Sequence, residues 1–167
     1  GWRIQMRNRI PLARGLGSSA AATVGGLLAG AALAGESLGV ERALALATEL
    51  EGHPDNAAAA LLGGFTVAAH GDPPTAIRFD IPRDLRTVLF IPDVRLATRD
   101  MRAALPELVP LADAVANLQR VALGVAALAG GSADGLRHLT VDRLHEPYRA
   151  AVFPQLPALV AAARDAG

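Results

Sequence analysis

The stretch from Pro11 to Gly35, PLARGLGSSAAATVGGLLAGAALAG, constrains this chain more than any other, because a glycine-rich loop runs straight into a long helix of small residues. Gly15 and Gly17 let the backbone turn tightly and come close to a ligand. Ser18 and Ser19 then open a helix whose first amides have no intrahelical acceptor. A helix start of this kind carries about half a positive charge and points several N–H groups outward, so it holds phosphate without a lysine. Val24, Leu27, Leu28 and Ala31 follow the i, i+3, i+4, i+7 spacing of a buried stripe and predict that the loop stands on a fixed core element. A plain turn and cap is the competing account of G-x-G before a helix. The stretch also has no charge between Arg14 and Glu36, long enough to span a bilayer. Its six glycines, two serines and only five Leu or Val residues would drive insertion weakly, so a helix pressed against protein fits better.

Bulk properties narrow the classes. A chain of 167 residues can form one good-sized domain or two small ones. Its formal charge is zero, which gives no support to a nucleic-acid or membrane-surface partner. It has no cysteine, which excludes disulfides and thiolate metal sites and suits the cytoplasm. The first residues lack the basic flank and apolar core of a secretory signal. All sixteen basic residues are arginine, which together with abundant alanine points to the nucleotide bias of a genome more than to chemistry. The start at Gly1, within a strand-like pattern, predicts a piece of a longer protein.

Along the chain, residues 2–10 alternate apolar and polar with the period of a half-buried strand. Val40 to Leu50 predicts a second helix, stopped at Gly52. Glu51-Gly52-His53-Pro54-Asp55-Asn56 follows, where Asp55 or Asn56 could cap the next helix. Alternatively, a carboxylate, an amide and an imidazole at one helix start can bind a polar substrate and orient a hydroxyl. Gly63 and Gly64 read as a turn into a strand, and residues 71–74 as a linker or hairpin. Further strands are expected at Ala76 to Ile81 and Arg86 to Ile91. Thr98 can cap a helix with Arg99 and Arg102 one turn apart, either a solvated basic face or a site for a carboxylate, which guanidinium binds in a planar fork. Leu108, Leu111, Val115, Leu118, Ala122 and Val125 predict a core stripe on a helix over residues 107–129. Nothing in the spacing of Asn117, Gln119 and Arg120 demands chemistry. Helices are also expected over 136–144 and 156–166, and His138 and His145 read as surface or packing residues, since a metal site needs more convergence.

Pro11, three residues, and then Gly15-Leu16-Gly17-Ser18-Ser19-Ala20-Ala21 resembles the second signature motif of the GHMP kinases. It is unlike a Walker A loop, which ends Gly-Lys-Ser/Thr, and unlike a G-x-G-x-x-G fingerprint. The E-G-H-P-D-N string followed by A-x-x-x-L-x-G-G, the Thr98/Arg102 pair before Leu105-Pro106, and D-R-L-H-E-P-Y-R at 142–149 resemble the homoserine kinase branch of that family. The resemblance implies an α+β fold in two domains, a partial nucleotide-binding one over 1–72 and part of a ferredoxin-like one over 73–167. It implies ATP-dependent phosphorylation of the side-chain hydroxyl of L-homoserine, on the route to threonine in the cytoplasm, with Mg2+. Pro11, Arg14, Gly15, Leu16, Gly17, Ser18, Ser19, Ala20 and Ala21 would cradle the nucleotide phosphates. Ser19 and Glu51, the latter favoured over Glu49, would hold Mg2+. His53, Asp55, Asn56, Thr98 and Arg102 would bind substrate, with Asp55 and Asn56 at the chemistry and the role of Asp55 as base or orienting group left open. The resemblance leaves a homodimer open too. The family's first and third motifs would lie outside this sequence, so the chain alone is expected to have little activity. Rival readings are another small-molecule kinase of the family, acting on mevalonate or a sugar, and a non-catalytic nucleotide-binding fragment.

Overall fold

The computed structural model describes residues 3–91, 101 and 103–166. The chain divides into two compact units, Gly1–Ile81 and Pro82–Gly167.

The first unit is built on three helices and a hairpin. Helix α1, Ser18–Leu33, starts at Gly17, whose φ of 75° is open to glycine and strained for other residues. Helix α2, Val40–Glu51, carries Glu41 in its first turn, where the helix dipole favours it, and ends at Gly52 in the left-handed conformation that typically stops a helix. Helix α3, Asp55–Leu62, follows Pro54 at its N-cap, which offers no side-chain bond. The Asp55 carboxylate accepts the amide of Asn56 beside it, at 2.7 Å. Strands β1, Phe65–Ala69, and β2, Thr75–Phe79, pair antiparallel across the Gly71–Pro74 turn, with Phe65 opposite Phe79. β2 is laddered to β1, and the first compact unit runs on to Ile81.

Val24, Leu44, Ala47, Ala57 and Ala58 form the core of this unit, with Leu27, Leu61, Ala68 and Ala76 packed on it. Alanines at the crossing let the three helices approach closely, and that draws their ends together. Two expectations fail here. Leu28 is 41% exposed, and the inner stripe of α1 runs through Ala20, Val24 and Leu27 instead. Residues 3–10 form no strand, and Ile4 is 81% exposed. Alternation says which way side chains would point, but a strand also needs a neighbour for its backbone groups, and none of the described residues pairs with this segment.

In the second unit, helices α4, Leu111–Ala129, α5, Leu136–Leu139, α6, Glu146–Arg149, and α7, Leu156–Asp165, follow one another. The strand expected at 86–91 is absent, and Val88 and Phe90 are exposed. The core stripe expected on α4 is on the wrong face: Leu111 is 79% and Leu118 71% exposed. The face turned inward runs Asp113, Asn117, Arg120, Gly124, Leu128, and at Gly124 there is no room for a Cβ beside the Leu139 side chain of α5. By length and composition α4 could cross a membrane. Its inward polar side chains, however, all bond to protein: Arg143 reaches Asp113, Asn117 donates to Asp142, and Arg120 donates to the Val141 carbonyl.

Asp142 explains why the helix expected over 136–144 stops at Leu139. Its carboxylate accepts the amides of Leu144 and Glu146 and the Asn117 side chain, offering the backbone partners that a helix would otherwise supply. Burial raises the pKa of this carboxyl, but the Asn117 bond, the two amides and the neighbouring His145 together hold it below its ordinary value. A depressed folded-state pKa stabilises the fold above the unfolded value of 3.8, and that contribution is lost as pH falls through the lower folded value. Asp142→Ala is expected to destabilise the α4–α5 packing by about 2 kcal/mol, since bonds to a charged acceptor are lost and their donors stranded. Hydrogen exchange of α4 amides reads the loss. Asp142→Asn should also flatten the fall of stability below pH 3.8.

Candidate active site

Three helix ends meet in the first unit: the start of α1, the end of α2 and the start of α3. Each brings a different chemistry.

The start of α1 brings amides. The first intrahelical bond runs from Ala21 N to Gly17 O, at 2.9 Å, so the N–H groups of Ser18, Ser19 and Ala20 precede the ladder. No acidic side chain and no side-chain cap occupies this first turn, which leaves its positive end for an outside anion. Ser19 is exposed, Ser18 and Ala21 are half-buried, and Ala20 is part of the core, so the turn is rigid on one side and open on the other. Before it, Pro11 and Gly15 are exposed and Arg14 and Leu16 half-buried in a loop where Ala13, Gly15 and Gly17 all have positive φ. A non-glycine residue in that region stores strain that the surrounding structure must hold. Asn8 ties the loop from outside, donating to Ser18 Oγ at 2.7 Å while its Oδ1 accepts the Ile10 amide at 2.8 Å.

The end of α2 brings a carboxylate. Glu51 Oε1 accepts from Ser19 Oγ at 3.0 Å and from Thr23 Oγ1 at 2.6 Å. Glu49 is exposed elsewhere on the helix. A hydroxyl and a carboxylate at an uncapped helix start are hard oxygen donors, the kind Mg2+ accepts. Among the described residues no cluster of three His, Cys, Asp or Glu offers a softer or fuller metal cage.

The start of α3 brings the polar trio. His53 Nδ1 lies 2.5 Å from Asp55 Oδ1, with the imidazole side chain 20% exposed and the carboxylate 71%. Asn56 lies against the loop itself: a Cβ on Gly17 would stand 3.4 Å from Asn56 Oδ1. The loop and the Glu51 carboxylate, 32 positions apart at Ser19 and Glu51, thus meet, and Asn56 stands beside the same loop at Gly17. Thr98 and Arg102 lie outside the described residues. Sequence reasoning missed Asn8 and Thr23. A signal for Thr23 was present, since it follows Ser19 by one helical turn and so shares its face.

Residues 1–64 match the GHMP kinases N terminal domain. The chain is 47% identical over 166 residues to a homoserine kinase of Moorella thermoacetica, covering 99% of this chain and 56% of that protein. It is 47% identical over 165 residues to a homoserine kinase of Thermus thermophilus, again over 99% of this chain and 56% of the relative. Its backbone is similar to the crystal structure of homoserine kinase from Cytophaga hutchinsonii, with a TM-score of 0.80 and 31% identity over 96% of this chain and 53% of that one. The chain spans about half the length of the curated relatives it matches.

Proposed function

We propose that this chain is part of a GHMP kinase, on the match of residues 1–64 to that family's N-terminal domain and the likeness to homoserine kinases, and that the whole protein is an ATP-dependent homoserine kinase, transferring the γ-phosphoryl group of ATP to the side-chain hydroxyl of L-homoserine. The observation that carries the reading is the contact of Asn56 with Gly17, which sets the would-be substrate pair against the would-be phosphate loop.

Phosphoryl transfer needs positioning and charge neutralisation more than covalent help. In this reading Pro11 to Ala21 wrap the phosphates, with the amides of Ser18, Ser19 and Ala20 aimed at oxygens that gain charge as the bond to the leaving ADP lengthens. Ser19 and Glu51 would hold Mg2+, which would supply charge neutralisation at the phosphates. His53 braces Asp55, and Asp55 and Asn56 orient the homoserine hydroxyl for in-line attack. Thr98 and Arg102 fix the polar end of the amino acid, Arg102 by a planar fork on its carboxylate. The neutral formal charge and the polar bonds of α4 favour a cytoplasmic enzyme acting without nucleic acid or membrane. A homodimer is compatible with all of this.

The test is ADP release by the full-length protein with homoserine, mevalonate and galactose. Turnover with homoserine alone is expected; turnover only with one of the others reassigns the substrate. In the same protein Arg102→Ala should raise KM for homoserine by roughly 100-fold, the worth of a charge-assisted bidentate bond, with KM for ATP nearly unchanged. Equal effects on both would move Arg102 out of the substrate site.

A further inference from the structure

We propose that Thr23 is a positioning residue that holds the Glu51 carboxylate in its metal-binding pose, an inference that rests on the reading above in which Ser19 and Glu51 hold Mg2+. Glu51 is the last residue of α2. A carboxylate there faces the negative end of its own helix dipole, and its long side chain has many rotamers. Something outside α2 must fix it. Two hydroxyls on α1 do so, and they are not equivalent. Ser19 is exposed at the mouth of the loop and 3.0 Å from Oε1. Its oxygen is itself a ligand in the proposed site, so its geometry changes when the ion and phosphates arrive. Thr23 sits one turn deeper, half-buried, with the shorter bond of 2.6 Å to the same Oε1. A β-branched side chain in a helix has few χ1 states, so its hydroxyl is aimed in advance. Both bonds fall on Oε1, so neither α1 hydroxyl takes up Oε2. Thr23 thus sets which carboxylate oxygen is offered, without touching ligand.

Such outer partners of metal ligands are worth roughly 10- to 100-fold in affinity. The experiment uses the full-length protein, with Mn2+ as the probe, titrated in the presence of ADP and followed by electron paramagnetic resonance. Thr23→Val, which keeps the shape, and Thr23→Ala, which relieves any crowding, should both weaken Mn2+ binding by roughly 10-fold or more. ADP affinity without metal should stay the same, and Thr23→Ser should restore Mn2+ binding to within about twofold. Wild-type Mn2+ affinity in Thr23→Val or Thr23→Ala overturns the proposal, and so does a Thr23→Ser protein as weak as Thr23→Val, which would make the residue a packing group. Glu51→Gln separates the two levels. If it weakens Mn2+ binding while the Thr23 variants do not, only the positioning role falls; if Glu51→Gln leaves binding intact, the metal reading falls and takes the Thr23 proposal with it.

Discussion

Glu51→Gln in the full-length protein is expected to lower kcat by roughly 100- to 1,000-fold, the several kcal/mol that a bound divalent ion contributes to the charge of a phosphoryl-transfer transition state. Glutamine has the same length, and its carbonyl oxygen can still accept from Ser19 and Thr23, so the end of α2 should keep its place. What it would lose is the negative charge and the second oxygen, since an amide NH2, which cannot bind a cation, takes the place of Oε2. Part of the loss should therefore return at high Mg2+, which a Mg2+ titration of kcat will read. Glu49→Gln is the matched control, because Glu49 is exposed and bonds to nothing at the loop among the described contacts; its kcat should stay within about twofold of wild type, the behaviour of an ordinary surface substitution. A Glu51→Gln enzyme with half the wild-type rate, or a larger effect at Glu49, would reassign the metal ligand.

That Glu51 and not Glu49 faces the start of α1 is legible in the sequence through helix phase. Leu44 and Ala47 mark the inward face of α2, and Glu51 follows them by seven and four positions, whereas Glu49 does not share that face. The loop and the start of α1 were legible for a similar reason: glycine, serine and alanine act on their own backbone, so local sequence is enough. The hairpin was readable too, through Gly63-Gly64 and the Pro-rich turn.

Where the fold was misread, the missing knowledge was always about neighbours. On α4 the apolar spacing of Leu111, Val115 and Leu118 gives a face correctly, but not which face meets protein; the inward one is chosen by Asn117 and Arg120 bonding to the 141–143 loop and by the small Gly124 under Leu139. A hydrogen-bonded polar seam outranks hydrophobic periodicity there because its groups lose more by going unpaired. Residues 3–10 and 86–91 carry strand-like alternation without a ladder, since strand pairing is a property of two segments and composition describes one. Asn8 escaped notice on the same ground: one amide that pins Ser18 looks, in sequence, like any polar residue before a proline.

Asp55→Ala is the second large effect expected, a fall in kcat of roughly 100-fold or more in the full-length protein, the usual size for a group that handles the reacting hydroxyl. The more informative variant is Asp55→Asn. Asp55 Oδ1 is committed twice, to His53 Nδ1 at 2.5 Å and to the Asn56 amide at 2.7 Å, so the side chain is held through that oxygen, and in the proposed reading Oδ2 would meet the substrate. Asparagine can reproduce that lock through its own Oδ1, and its NH2 then stands where Oδ2 was, able to donate to a hydroxyl oxygen but not to take its proton. The transition state of phosphoryl transfer is loose, with little bond formation to the attacking oxygen, so that oxygen need not be deprotonated early and orientation should carry most of the effect. Asp55→Asn should then keep kcat within about tenfold of wild type while Asp55→Ala does not. An asparagine enzyme as slow as the alanine one would instead assign Asp55 as the base, and His53, at its back, as the group that steadies it.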